Sequence, residues 1–296
     1  MLFRFLPLGL LICFACAQPS PSTLIEVEKI IQGRVSEVDG DFAVAFQHLD
    51  NPEDQLLINA REEFHAASTM KTPVMLEVYK QAEMDELSLD DSVLVKNEFY
   101  SIVDSSTYSL SPDDDSYSEL YEQIGTRQSL RDLVYHMIIS SSNLATNIVI
   151  ELVGADKTTQ TLRDLGANDI QVRRGVEDGK AYRQGLNNTT TAYDLMQLFA
   201  AINQQEVVSD QASQAMIDIL LDQRFNEMIP AQLPNDVKVA HKTGWITGLH
   251  HDSGIVFLPD GESYVLVLLS KNLTDEDAGV QALSDISKVI YDYVAH

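Results

Sequence analysis

The sequence predicts a two-lobed α+β fold, in which an antiparallel sheet built from both chain ends, with flanking helices, carries an inserted and mostly helical lobe. Two observations predict it: segments with strand character lie near both ends of the chain, and segments of helical period fill the middle. The composition is that of a globular protein, since 45% of the 296 residues are hydrophobic and 22% are charged. A chain of this length buries a sizeable core, which excludes a disordered or fibrous protein.

The first predicted elements are a helix, two strands and a second helix. Apolar residues recur at helical spacing over residues 24–38, which predicts a helix. Alternation predicts strands over residues 41–49 and 55–60. A long helix is predicted over residues 72–84, with Pro73 in its first turn, where a missing backbone N–H costs no hydrogen bond.

The middle of the chain is predicted to be mostly helical. Gly, Asn and Asp separate five segments with a helical pattern, which are residues 129–137, 143–153, 158–165, 191–202 and 209–221. Ahead of them, residues 104–119 are rich in Ser and Asp and show neither a helical nor a strand period. We interpret this 104–119 segment as a polar, acidic excursion on the surface.

The last part of the chain returns to strands. Strands are predicted over residues 237–243, 254–258 and 264–270, with a Pro-Asp-Gly turn between the last two. A final helix is predicted over residues 275–294. Because strands at both ends enclose the helices, we expect one compact two-lobed unit rather than two tandem domains.

The charge balance excludes several classes of partner. Forty-five Asp and Glu against twenty Lys and Arg leave a formal net charge of -25, which repels phosphate backbones and anionic lipid headgroups. We therefore expect no nucleic-acid partner.

The chain begins with a short export signal. One basic residue precedes an apolar stretch over residues 6–15, which is too short to span a bilayer as a permanent helix. Two processing routes remain open: a signal peptide of residues 1–17, or a lipoprotein signal of residues 1–15 that exposes Cys16 for a lipid anchor. The expected location is accordingly the periplasm or, as an anchored lipoprotein, the membrane surface.

The rest of the chain is predicted to be a tether followed by one domain. Residues 18–23, with two prolines, form the tether, and residues 24–296 form the domain. The only cysteines, Cys13 and Cys16, precede both, so the domain contains no thiol, disulfide or Cys-based metal site. A nucleophile in this domain must be an oxygen or a nitrogen.

Ser68 and Lys71 form the first candidate catalytic pair. They stand three residues apart, just before the helix predicted from residue 72, and side chains at this spacing share one face of a helical turn. The Lys71 amine is then within reach of the proton that a serine must lose to become a nucleophile. A structural alternative remains open, in which Ser68 caps the helix and Lys71 is solvated.

Two further motifs follow in a fixed order. S-S-N at residues 141–143 comes after a helix-like stretch, and H-K-T-G at residues 241–244 ends an apolar strand. Together with S-x-x-K at residues 68–71, they resemble the penicillin-recognising serine enzymes, and most of all the class A β-lactamase family, whose pattern is S-x-x-K, S-D-N, then K-T-G or K-S-G. The resemblance runs from about residue 24 to the C-terminus and implies a β-lactamase/transpeptidase-like fold.

The resemblance implies three catalytic roles. Ser68 would be the acylated nucleophile, and Lys71 its proton acceptor or relay, with a pKa that must fall for the amine to act as a base. Ser141 would pass a proton to the departing lactam nitrogen. The family needs no metal and no organic cofactor, so none is expected here.

The resemblance also implies how the substrate is bound. Asn143 would hold both Lys71 and the side-chain amide of the substrate. Lys242 would add positive charge near Ser141 and the substrate carboxylate, and Thr243 would give that carboxylate a hydroxyl.

The backbone after the K-T-G motif has its own implied role. The N–H groups of Ser68 and Trp245 would form the oxyanion hole, and Gly244 fits a strand that a ligand approaches closely. For the Trp245 side chain two interpretations stay open, a platform for a substrate ring or a part of the core.

The sequence departs from the family at the site of deacylation. Ser142 stands where the family usually has an Asp, and Asn188 stands where an Asp would close the loop that Arg173 or Arg174 opens. The usual Arg-x-Glu-x-x-Leu-Asn order is absent, and the nearest carboxylate, Glu177, is out of register by one or two residues. Glu177 is therefore either the base that activates water or part of a solvated acidic turn.

A third departure concerns the arginine that the family often uses for the substrate carboxylate. Ser253 occupies the expected place, and His250 or His251 would substitute only if the turn brought a ring inward. Adjacent strand residues point to opposite faces, so these two histidines do not form a metal site.

The favoured function is that of an exported, monomeric serine β-lactamase, in which Ser68 attacks the lactam carbonyl and water hydrolyses the acyl-enzyme. One alternative is a serine hydrolase of the same fold that acts on a D-alanyl peptide or an ester. Another is a penicillin-binding protein with little turnover. The departures at positions 142, 177 and 188 favour both alternatives.

Overall fold

The computed structural model describes residues 20–205 and 207–296. The predicted export signal, with Cys13 and Cys16, lies outside the described residues, as does the start of the predicted tether. Among the helices of the described residues, none is long and apolar enough to cross a membrane.

The described part of the chain contains a long-stranded sheet and several two-stranded pairings. In chain order the strands are β1 (Asp41–His48), β2 (Gln55–Ile58), β3 (Phe64–His65), β4 (Ser92–Leu94), β5 (Phe99–Tyr100), β6 (Thr107–Tyr108), β7 (Arg127–Ser129), β8 (Thr189–Thr190), β9 (Lys238–Ile246), β10 (Leu249–Phe257) and β11 (Ser263–Lys271).

The helices fill the span between β3 and β9 and flank the sheet. They are α1 (Leu24–Val35), α2 (Lys71–Glu83), α3 (Leu130–Ile139), α4 (Asn143–Val153), α5 (Ala155–Asp164), α6 (Gly179–Arg183), α7 (Ala192–Gln204), α8 (Asp210–Leu221) and α9 (Glu276–Val294). Short 3₁₀ helices cover Ala67–Met70, Pro112–Asp114 and Ser118–Gln123.

Side-chain caps explain where most of the helices begin. A Ser, Thr or Asp side chain accepts a backbone N–H of the first turn, which satisfies a donor that has no partner within the helix. These caps are Thr23 for α1, Ser129 for α3, Ser142 for α4, Asp178 for α6, Thr191 for α7, Ser209 for α8 and Asp275 for α9.

The main sheet joins the two ends of the chain, as predicted. Its strand order is β2-β1-β11-β10-β9, with every neighbouring pair antiparallel. The first strand pairs with the last along its whole length, from Asp41 opposite Lys271 to His48 opposite Tyr264. The predicted α+β class with a helical insertion is confirmed.

Both faces of the sheet are buried. Side chains alternate along β1, so Val44 and Phe46 pack with α1 and α9 on one face, while Ala43 and Ala45 face the helical lobe on the other. β11 alternates in the same way and is apolar along both faces. Burial on two sides explains why this strand reads as a continuous apolar run in the sequence.

Two segments differ from the sequence prediction. β10 begins at Leu249 rather than at residue 254. The sequence did not indicate the first half of this strand because its side chains are mostly polar, but the structure buries several of them against partners inside the protein. Asp252, for example, accepts the Ile229 N–H at 3.0 Å and contacts the His241 ring at 2.8 Å. The 104–119 segment is not only a surface excursion: it contains β6 and a 3₁₀ helix, and its half-buried Asp115 contacts the helical lobe.

We expect Gly254→Ala to destabilise the fold, because a Cβ at this position of β10 would lie 2.4 Å from the Ala240 carbonyl oxygen and 2.5 Å from His241 Cβ. Displacing backbone in a packed sheet costs about 1–3 kcal/mol. The matched control is Gly33→Ala in α1, where a Cβ meets nothing within 4 Å and the change is expected to stabilise by about 0.5–1 kcal/mol. Urea unfolding of both variants measures the difference, and equal stabilities would contradict it.

Candidate active site

A cavity of about 790 Å³ opens between β9 and the helical lobe. The sequence-predicted residues that line it are Ser68, Ser141, Asn143, Glu177 and Trp245. They come from distant parts of the chain, and the fold brings them together around one cavity. This cavity is large enough for a small organic ligand.

Ser68 lies in the 3₁₀ helix that leads into α2, and its side chain is half-buried. The preceding Ala67 has φ at 45°, a left-handed conformation that costs a non-glycine residue free energy and is typical of functional turns. The Ala67 N–H donates to His65 Nδ1 at 3.0 Å, which holds the strained residue in place.

β9 packs directly against the turn that carries Ser68. A Cβ on Gly244 would lie 2.9 Å from the Ser68 nitrogen, 3.0 Å from the Thr69 nitrogen and 3.3 Å from Ala67 Cβ. Only glycine lets the strand come this close. The contact places the Ser68 nitrogen beside Gly244, which precedes Trp245 on β9.

The Lys71 amine is fully buried and has three oxygen partners, all on the turn between α3 and α4. Its Nζ donates to the Ser141 carbonyl oxygen at 2.6 Å, to Ser141 Oγ at 3.1 Å and to Asn143 Oδ1 at 2.9 Å. The solvated-lysine alternative is therefore wrong. Among the described hydrogen bonds, Ser68 Oγ has none, so the expected Ser68–Lys71 bond is not formed in this state; such bonds are often long without substrate.

Burial lowers the pKa of Lys71 to about 7, against the opposite effects of Asp115 and Glu177. Desolvation disfavours the charged amine, and none of its three hydrogen-bond partners carries a negative charge. At neutral pH the amine is thus poised to take up a proton.

Lys242 reaches the same serine from the opposite side. Its Nζ, fully buried, lies 3.0 Å from Ser141 Oγ and 2.8 Å from the Thr243 carbonyl oxygen. The pKa of Lys242 is well below its usual value, mainly because the amine is buried and secondly because the positive charge of Lys71 is close by. One hydroxyl oxygen therefore lies between two amines, an arrangement suited to proton transfer.

Ser141 is held in a strained turn. Its φ is 54°, outside the range that a serine prefers, and the Ser142 N–H is bonded to the His136 carbonyl oxygen at 3.1 Å. Asn143, which starts α4, presents its amide to the cavity and to Lys71. The turn delivers both side chains to the cavity.

The loop from residue 174 to residue 188 forms the floor opposite β9, and Arg174 rather than Arg173 opens it. The Arg174 side chain is buried and donates to the Leu186 and Gly175 carbonyl oxygens, both at 2.9 Å. Asn188 closes the loop with its amide: Oδ1 accepts the Arg174 N–H at 3.2 Å, and Nδ2 donates to the Arg174 carbonyl oxygen at 2.9 Å. Asn188 thus closes the loop through the backbone, without a side-chain ion pair.

Glu177 follows the point at which this loop is anchored. The Asn147 side chain clamps Val176, accepting its N–H at 2.6 Å and donating to its carbonyl oxygen at 3.0 Å. Glu177 then has φ at 64° and lines the cavity. Its side chain remains exposed. Even so, the pKa of its carboxyl group is raised, mainly by partial burial and secondly by the negative charge of Asp114.

The remaining predicted residues are placed as follows. Trp245 is 62% exposed at the rim, so the core interpretation is wrong for this side chain. Thr243 is buried on β9 between Lys242 and Gly244. Neither His250 nor His251 takes the part of a carboxylate-binding residue: His250 pairs with Glu276 at 2.9 Å, and His251 is buried against the His65 carbonyl oxygen.

Sequence reasoning missed several residues of the site. Asp115, His65 and Tyr182 line the cavity, and Asn147 anchors the loop. The spacing of Asn147, one helical turn after Asn143, was a signal for a second inward polar residue on α4. No local signal linked Asp115 to the site, because its partners there, Ser142 and Leu144, lie 27 and 29 residues further along the chain.

Comparisons with known proteins agree on one family. The model of the Beta-lactamase enzyme family matches residues 26–294. The chain is 23% identical to the β-lactamase VEB-1 of Pseudomonas aeruginosa, over 99% of this chain and 97% of that protein. It is 26% identical to a β-lactamase of Bacteroides uniformis, over 81% and 82% of the two chains. The crystal structure of a β-lactamase from Sphaerobacter thermophilus superposes with a TM-score of 0.79 at 25% identity, covering 91% of this chain and 97% of that one.

We expect Asn188→Asp to destabilise the loop, because a carboxylate cannot donate the bond to the Arg174 carbonyl oxygen and would face it instead. Leaving such buried groups unpaired costs about 1–3 kcal/mol. The deficit should shrink at low pH, where the new carboxyl group carries a proton that it can donate.

The matched control is Asn187→Asp on the neighbouring residue. Asn187 accepts from Arg174 Nη2 at 3.1 Å through Oδ1, a bond that a carboxylate keeps, so the change is expected within about 0.5 kcal/mol of neutral. Thermal unfolding and limited proteolysis of the loop compare the two variants. Equal losses would show that the donated bond does not hold the loop.

Proposed function

The chain belongs to the β-lactamase enzyme family, and we propose that it hydrolyses β-lactams through an acyl-enzyme on Ser68. The observation that carries this proposal is the set of hydrogen bonds that ties the two buried amines of Lys71 and Lys242 to Ser141 at the wall of the cavity. A solvated-lysine or helix-cap interpretation does not account for that arrangement.

The proposed acylation step uses two linked proton transfers. Ser68 Oγ bonds to the lactam carbonyl carbon and gives its proton to the neutral Lys71 amine, while the backbone N–H groups of Ser68 and Trp245 stabilise the oxyanion. When the C–N bond breaks, the lactam nitrogen takes the proton of the Ser141 hydroxyl, which is replenished from Lys71 at 3.1 Å. The lysine is thereby neutral again, and the whole drug remains attached as an ester.

The proposed binding contacts use the edge of β9 and the α3–α4 turn. Asn143 Oδ1 is engaged by Lys71 at 2.9 Å, which turns its Nδ2 donor toward the substrate amide. Thr243 and Lys242 are assigned to the substrate carboxylate, and Gly244 lets β9 lie directly against the turn that carries Ser68, so that the strand edge is beside the proposed nucleophile. The exposed Trp245 ring is proposed to flank the substrate at the rim.

For deacylation we propose that Glu177 removes a proton from the water that attacks the ester. Support comes from its place in the cavity wall and from the raised pKa of its carboxyl group, which makes it a stronger base. Its exposure, and the clamping of Val176 rather than Glu177 by Asn147, favour a second candidate function. In that case the protein is acylated by β-lactams and turns over little.

We propose that the leader directs export, with either cleavage before residue 18 or lipidation at Cys16. We also propose a monomer, because the proposed catalytic residues Ser68, Ser141 and Glu177 meet at one cavity without a contribution from a second copy. The substrate class is a small cyclic amide, with a D-alanyl peptide or an ester as the alternative acyl substrate.

We expect intact-protein mass spectrometry to show that a penicillin and a cephalosporin each add their mass to the mature chain. Ser68→Ala should abolish the adduct with little loss of stability, because Ser68 Oγ makes no hydrogen bond among the described residues. Ser36→Ala, an exposed serine just after the end of α1, is the control and should label fully. An adduct that persists on the Ser68→Ala chain would exclude Ser68 as the nucleophile, and no adduct on the unsubstituted chain would favour another acyl substrate.

We expect Glu177→Gln to acylate normally and to release the adduct about 10²–10⁴-fold more slowly, since the amide cannot accept a proton from water. The measurement is the decay of the adduct mass after excess drug is removed. Glu122→Gln, an exposed residue of the same type, controls for loss of charge. Unchanged decay would exclude Glu177 as the base, and an adduct that lasts for hours on the unsubstituted chain would favour the second candidate function.

A further inference from the structure

The turn of residues 141–143 carries every hydrogen bond that the Lys71 amine makes among the described residues, but its middle residue, Ser142, is not the acidic residue usual in the family. Ser142 caps α4 by accepting the Ala145 N–H at 3.2 Å. The preceding amide, that of Leu144, also belongs to the first turn of α4 and needs an acceptor. Its acceptor does not come from the turn.

A carboxylate from the 104–119 segment supplies that acceptor. Asp115 Oδ2 accepts the Leu144 N–H at 2.8 Å, and the Ser142 hydroxyl lies 3.4 Å from the same oxygen. The carboxylate is itself fixed from behind, since Oδ2 accepts the Tyr121 hydroxyl at 3.0 Å and Oδ1 accepts the Tyr117 N–H at 3.0 Å. Four donors thus converge on one side chain at the base of the turn.

We infer that Asp115 is a positioning residue of the active site, whose carboxylate, brought from a separate segment, takes the place of an acidic residue at position 142. This inference rests on the proposed function, because the turn that Asp115 holds is the one that contacts Lys71. The 104–119 segment is then part of the catalytic apparatus.

The negative charge is expected to matter as well as the hydrogen bonds. Asp115 lies at the N-terminus of α4, where a negative charge interacts favourably with the helix dipole. The charged groups that face Lys71 are Lys242, Glu177 and Asp115. Of these, Asp115 has the largest effect in raising the pKa of Lys71 against burial.

Three variants separate the effect of the hydrogen bonds that Asp115 accepts from the effect of its negative charge. Asp115→Ala removes both and is expected to slow acylation by a penicillin roughly tenfold or more. Asp115→Asn keeps an acceptor for the Leu144 N–H but removes the charge, which favours the neutral amine and moves the acid limb of the acylation rate to lower pH. Asp115→Ala combined with Ser142→Asp returns a carboxylate to the turn and is expected to restore the rate.

The control is Glu122→Gln, which removes one negative charge from an exposed residue that follows Tyr121 and should leave both rate and pH profile unchanged. If Asp115→Ala fails to fold, the pH profile of Asp115→Asn decides. A merely structural role predicts a lower melting temperature with the acid limb in place. That result, or a double variant that is no faster than Asp115→Ala, would overturn the inference.

A second readout does not depend on turnover. Hydrogen exchange at the Leu144 amide is expected to be at least tenfold faster in Asp115→Ala and to return toward its original rate in the double variant. If the unsubstituted chain is not acylated by a penicillin, the proposed function fails while this exchange still tests the placement. Unchanged exchange would overturn the inference even in an active enzyme.

Discussion

The active site depends on the burial of two lysine amines around a single serine hydroxyl. Lys71 and Lys242 approach Ser141 Oγ to 3.1 and 3.0 Å, and both amines are shielded from solvent. Two full positive charges in so small a volume repel strongly and lack solvation, so the site favours fewer protons than the two amines hold in water. An amine that is neutral near pH 7 is able to accept a proton, as the proposed acylation step requires.

The rest of the structure keeps these amines apart from water and at fixed positions. α2 carries Lys71 and β9 carries Lys242, while the turn between α3 and α4 carries Ser141. The sheet gives β9 a rigid neighbour in β10, and Gly244 lets β9 contact the turn that carries Ser68. Strained residues at 67, 141 and 177 lie where these elements meet, which is where backbone strain is expected to be stored for function.

The order of the elements and most of the site followed from the sequence, because apolar periodicity and the three short motifs are local signals. Residues 143–153 were predicted with the bounds that α4 has. What remained hidden depends on contacts between distant residues. The first half of β10 is polar yet buried, and only its pairing with β9 and its partners His241 and Ile229 reveal why. Asn188 likewise suggested a broken loop closure, because a sequence does not show that an amide can bond to a backbone in both directions.

The pairing of β1 with β11 has a consequence for how the protein reaches this state. The central pair of the sheet joins residues 41–48 to residues 264–271, so the closing of the chain on itself is among its longest-range contacts. Such contacts slow folding, since the entropy of a long loop is lost before the strands can pair. During synthesis β1 can pair with β2, but its other edge stays unpaired until β11 is made near the end of the chain. An apolar strand edge that stays open for this long favours aggregation of the nascent chain, so its folding is expected to benefit from chaperones.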